Sequence, residues 1–212
     1  MKDLPFFTSQ FGVASLTLSQ IPYTGDSYIR IQSAADGGAL LKECVDFCRA
    51  AGAQNVYATG HDVVAQYPYH TQIWRMCCQR RTIPNTDAAL VPVEADTLEQ
   101  WRRIYNDKMR YVPNASVMTL GDAKALPETK TAYYIMREGQ LLGIGMIGSG
   151  EIKAIASVVP GSGKNLVVAL NSALSGETVS VEVASENYAA VRLYEAIGFE
   201  CEQIISQWHK IL

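Results

Sequence analysis

The sequence has no long apolar run, no cluster of lysine and arginine, no Cys-x-x-Cys pair and little charge of either sign. Each shortage removes a class of function. A membrane helix needs about 20 consecutive apolar residues, and no window approaches that length. The opening Met1-Lys2-Asp3-Leu4-Pro5 also lacks the apolar core of an export signal, so a cytoplasmic protein is expected, with no membrane partner. Nucleic-acid binding needs concentrated positive charge, whereas the chain carries a formal net charge of −3 and no basic run, so nucleic acid is excluded as the main partner. Five cysteines, an odd number, in a chain without an export signal are expected to be free thiols. Cys44 and Cys48 stand one helical turn apart and Cys77 and Cys78 are adjacent, so zinc with His61 or His70 is the metal arrangement to weigh. Structural zinc spacing is missing, burial is the expected role of these thiols, and no metal is expected.

What is present is the material of a folded α/β protein. Of the 212 residues 48% are hydrophobic and 18% charged, enough apolar surface for one large domain or two small ones without staples. Phe11 to Leu18 alternates, Pro22 to Asp26 is rich in turn formers, and Tyr28 to Ile31 resumes the alternation, which predicts a hairpin. Asp36 then precedes Leu40, Leu41, Cys44, Val45, Phe47 and Cys48, the spacing of a helix capped by Asp36 and stopped at Gly52. Short strands follow at Val56 to Ala58 and Ile73 to Cys78. The polar segment around Arg80, Arg81 and Pro84 reads as a boundary, which gives an N-terminal α/β half-domain over 1–80, a linker over 81–88 and a second domain over 89–212.

The second domain is predicted to open with a strand at Ala89 to Val93 and a helix at Thr97 to Met109. Apolar runs at Ala132 to Met136, Leu141 to Ile147 and Ile152 to Val159, joined by short turns, predict an antiparallel meander. A helix (Leu166 to Leu174), a strand (Val179 to Val183), a helix (Glu186 to Ile197, stopped by Gly198) and a last strand (Cys201 to Trp208) complete the series.

Two motifs within this order carry a resemblance. The segment from Asn187 to Phe199, with Ala190, Leu193, Tyr194, Glu195 and Gly198 at the intervening positions, is similar to the Asn-x-x-Ala-x-x-Leu-Tyr-Glu-x-x-Gly-Phe helix of the GNAT acetyltransferases. The segment from Val159 and Pro160 through Gly161, Ser162, Gly163, Lys164, Asn165 and Leu166 resembles that family's pyrophosphate loop and following helix. It departs from the pattern by lacking the arginine or glutamine that opens the loop, by being one residue short, and by Asn165 and Val167 in place of two glycines. The resemblance implies a mixed central sheet of GNAT type, an antiparallel meander followed by strand-helix-strand. Residues 37–60 give the same loop, helix and strand succession as 163–185, so the N-terminal half is either a partial GNAT-like copy or a generic strand-helix-strand unit.

The resemblance further implies an N-acetyltransferase that moves an acetyl group from acetyl-CoA to a primary amine of a small molecule or protein. The alternative is a degenerate GNAT-fold module that binds CoA or another protein. Family roles carried onto this chain place Tyr194 as the acid that protonates the departing thiolate. Amides near Ser157, Val158 and Val159 would meet the thioester, and amides from Gly161 to Leu166, through Ser162, Gly163, Lys164 and Asn165, the diphosphate. Asn187 would bond the pantetheine arm or only cap its helix. Glu151 and Glu182, bordering the two strands that should part, are candidate bases for the incoming amine, with water as the other option. Acceptor identity and oligomeric state, a homodimer among the options, are left open.

Overall fold

The computed structural model describes residues 3–212, so Met1 and Lys2 of the opening segment lie outside the described residues. The chain divides into two units, one running to Ile73 and rejoined by Ile205–Leu212, the other Trp74–Ile204. The sequence places its boundary at 81–88, whereas these compact units divide inside a strand. Met76 and Cys78 are sealed into the second unit's core, and Ile83 of the polar segment is buried with them. Ile211 and Leu212 return to pack against the first unit's core. Among the described residues no helix is long and apolar enough to cross a membrane.

The first unit contains β1 (Leu4–Ser9), β2 (Gly12–Thr17), the short α1 (Ile21–Thr24), β3 (Asp26–Ala34), α2 (Gly37–Ala50) and β4 (Asn55–Thr59). After a 3-10 turn at Asp62–Gln66 it includes the start of β5 (Tyr69–Gln79), and later the end of β11 (Glu200–Lys210). Strands β1, β2 and β3 form an antiparallel meander, and α2 crosses over to β4, which pairs parallel to β3. Asp36 caps α2 by accepting from the Ala39 amide at 3.0 Å, as its sequence position predicts. Leu40, Leu41, Cys44 and Cys48 bury one face of α2 against Leu16, Ile29 and Val56. Strand β1 was not predicted: Pro5 interrupts its pattern, which a strand tolerates at the edge of a sheet.

Cys44, Cys48 and Cys78 are buried and free, and no three His, Cys, Asp or Glu side chains among the described residues converge as metal ligands. Cys77 is half-buried, and burial, together with hydrogen bonding to Glu202, pushes its thiol up to about 11. At pH 8 this holds Cys77 as the unreactive thiol. Iodoacetamide is therefore expected to label the exposed Cys201 first, and mass spectrometry finding Cys77 alkylated at an equal rate would contradict the structure.

The second unit holds β6 (Ala89–Pro92), α3 (Leu98–Met109), α4 (Leu120–Ala123), α5 (Leu126–Thr129), β7 (Ala132–Arg137), β8 (Gln140–Gly148), β9 (Glu151–Ser157), α6 (Gly163–Ala173), β10 (Thr178–Ala184) and α7 (Tyr188–Ile197). Its strand order is β5-β10-β9-β8-β7-β6. The meander is antiparallel, and β9-α6-β10 is a parallel crossover. The same meander and crossover thus occur in both units. One face of the second unit's sheet is covered by α6 and α7 through Leu166, Leu170, Val191 and the inward valines Val179, Val181 and Val183. The other is covered by α3, whose fully buried Trp101 donates its indole N–H to Tyr133 O at 3.1 Å.

Candidate functional site

Where α6 starts is fixed by how closely it lies on β8. A Cβ on Gly143 would stand 2.7 Å from Leu166 Cδ1, and one on Gly145 2.5 Å from Leu170 Cδ1, so glycine at both positions admits the two leucines. Burying each leucine completely contributes about 2 kcal/mol. Val167 is also fully buried, so the side chain that replaces a family glycine points into the core.

Strands β9 and β10 begin paired and then part. Their described ladder consists of Ser180 opposite Glu151 and Val181 opposite Ile152, although β9 runs on to Ser157 and β10 to Ala184. The cause lies on the other edge of β9. Its register against β8 shifts between Ala154 opposite Met146 and Ile152 opposite Ile147, which leaves Lys153 as an extra residue and bends the strand. Beyond the bulge, the amides of Val158 and Val159 both donate to Leu142 O, at 2.9 and 3.1 Å. They are spent on β8, and β9 ends at Ser157, two residues short of the predicted limit. Because backbone groups alternate between the two edges of a strand, Ile155 and Ser157 present theirs to the opening.

Leu142 O also receives the Ser162 hydroxyl at 3.0 Å, and the same hydroxyl lies 2.8 Å from Val159 O. One β8 carbonyl therefore ties the end of β9 to the start of α6. Gly161 turns the loop with φ +80°, and nothing lies within 4 Å of where its Cβ would be, so its outer side is open. The Ser162 amide donates to Val159 O and the Leu166 amide to Ser162 O, each at 3.2 Å. Leu166 and Ser162 are thus committed internally, whereas the amides of Gly163, Lys164 and Asn165 are first-turn donors with no helical acceptor, where the helix dipole favours an anion.

Helix α7 reaches this loop through Leu193, whose Cδ2 lies 2.8 Å from the position of a Gly163 Cβ. Tyr194 follows, 4% exposed, its ring 5.6 Å from that of Phe199. Its hydroxyl has no hydrogen-bond partner among the described residues, and burial drives the phenol's pKa well above its ordinary value. Asn187 caps α7, its Oδ1 accepting from the Ala190 amide at 3.3 Å. Glu182, the first residue of β10 past the paired section, bonds Arg75 of β5 at 3.0 Å. Glu151 lies on the paired section of β9 and bonds Lys153, and its carboxylate also acts electrostatically on Arg75. Leu142, Leu193 and Arg75 were missed in the sequence; a Gly-x-Gly in strand β8 was the one available signal of close helix approach.

No protein-family model and no curated protein matches the sequence. Solved structures match along nearly the whole chain. A GCN5-related N-acetyltransferase from Kribbella flavida superposes with TM-score 0.59 at 11% identity, covering 96% of this chain and 58% of its own. A putative acetyltransferase from Pyrococcus horikoshii gives 0.60 at 11%, covering 95% and 69%. A conserved protein of unknown function from Staphylococcus epidermidis gives 0.61 at 10%, covering 96% and 91%. At these identities the likeness establishes the fold, which is that of the GNAT acetyltransferases, and not the reaction.

Proposed function

We propose that the chain is an N-acetyltransferase that moves an acetyl group from acetyl-CoA to a primary amine. The observation that carries this reading is the parting of β9 and β10 beside a helix N-terminus with free amides. A pantetheine arm, itself amide-bearing, is suited to the backbone groups that Ile155 and Ser157 present to the opening. The amides of Gly163, Lys164 and Asn165 are suited to a diphosphate. Acetyl-CoA supplies the activated acyl carbon, and forming the new amide breaks its carbon–sulfur bond. Tyr194, whose hydroxyl has no other partner, then gives its proton to the departing sulfur. The amine sheds its own proton to Glu182 or to water.

The first unit repeats the architecture without the opening. Its strands β3 and β4 stay in register from Asp26 opposite Asn55 to Arg30 opposite Thr59. Gly60 lies against the Ile31 carbonyl, 2.2 Å from where its Cβ would stand, and the His61 ring covers Gly37 at the start of α2. Calorimetric titration with acetyl-CoA is therefore expected to give one site per chain, followed by turnover with a panel of amines. Two sites would refute the difference between the units, and binding without turnover would favour a CoA-binding module. No binding would remove the acyl-transfer reading.

A further inference from the structure

The geometry points to an acceptor that carries a carboxylate as well as its amine, an amino acid or short peptide, recognised by Arg75 beside Glu182. This rests on the acetyl-transfer reading of the same opening. Along β10, Val181 and Val183 turn into the core under α6 and α7, so Glu182 between them faces the other side of the sheet. Strand β5 adjoins β10, and Arg75 stands between Trp74 and Met76, which pack into that same core, so Arg75 is turned the same way as Glu182. The two meet through Arg75 Nη2 and Glu182 Oε1, with 39% and 38% of their side chains still exposed.

Charge decides what such a pair accepts. A carboxylate and a guanidinium in contact have almost no net charge, and the nearby Glu151 is itself paired with Lys153, so part of the attraction a bare ammonium gains at Glu182 is offset by repulsion from Arg75. A molecule with both charges fits both: its ammonium faces Glu182, and its carboxylate faces the guanidinium edge that Glu182 leaves free. Among the described residues Arg75 is bonded through Nη2 alone, and its remaining N–H groups form the planar fork that binds a carboxylate in two places. Lysine in that place would keep the charge and lose the fork.

Acceptors would be supplied in matched pairs, each amino acid with its decarboxylated amine, to the wild-type protein, Arg75→Met and Arg75→Lys. The wild type is expected to show at least about tenfold higher kcat/KM for the amino acid of each pair. Arg75→Met should erase that preference through KM, and Arg75→Lys should retain part of it. Acetyl-CoA affinity, measured by calorimetry, should be the same in all three proteins. Equal use of both members by the wild type, or a preference that survives in Arg75→Met, overturns the assignment, as does acetyl-CoA binding without turnover of any amino acid. Loss of acetyl-CoA binding by the wild type instead overturns the underlying reading.

Discussion

Tyr194→Phe is expected to lower turnover by about two to four orders of magnitude, the range of a lost general acid, while acetyl-CoA affinity stays within about a factor of two. The ring keeps its place in either case, since its packing against Phe199 and the α6–α7 core does not involve the hydroxyl. The hydroxyl has no hydrogen-bond partner among the described residues, so its removal breaks no internal bond. Stability should therefore hold or rise slightly. A phenol is uncharged at neutral pH, and burial, which raises its pKa further, keeps the proton on Tyr194 until negative charge develops on a sulfur beside it. A tyrosine that served only as bulk would leave turnover unchanged. Steady-state rates with acetyl-CoA and an active acceptor, set beside a calorimetric affinity, separate the two.

The order of elements was legible because helix and strand periods are written locally. The apolar alternation that predicts β7, β8 and β9, and the Asn187-to-Phe199 pattern that predicts α7, need no knowledge of distant residues. What the sequence hid was pairing. Arg75 and Glu182 are 107 positions apart. The shared use of Leu142 O, which takes the Val158 and Val159 amides away from the opening, depends on register against β8. Glu151 and Glu182 look equivalent as strand-border glutamates, yet the ladder between β9 and β10 closes at one and has ended before the other. The division inside β5 was hidden for a related reason: a strand whose two halves belong to different compact units reads as one strand in a one-dimensional pattern. Loop residues with turn chemistry located the α6 start, but which of its amides remain free follows only from the bonds made by Ser162 and Leu166.

Gly143→Ala tests whether the close seating of α6 on β8 is what shapes the opening. A Cβ there would lie 2.4 Å from the Ala156 carbonyl oxygen of β9 and 2.7 Å from Leu166 Cδ1. The first neighbour is backbone and cannot rotate away, so β9 must shift. Overpacking of this kind costs roughly 1–3 kcal/mol, offset in part by about 0.4–1 kcal/mol from restricting the unfolded chain. For a protein of this size the balance corresponds to a Tm lower by up to roughly 10 °C. Acetyl-CoA affinity should fall by about tenfold or more as well, because Ala156 precedes Ser157 at the opening and Leu142, next to Gly143, holds the loop. Gly145→Ala is the control. Its Cβ would meet only side-chain atoms of the buried Leu170 and no backbone of β9, so it should lower Tm with a smaller change in affinity. Thermal unfolding and calorimetry on the two variants would show equal affinity losses if the glycines acted only through general destabilisation, and unequal ones if the position of β9 governs the site.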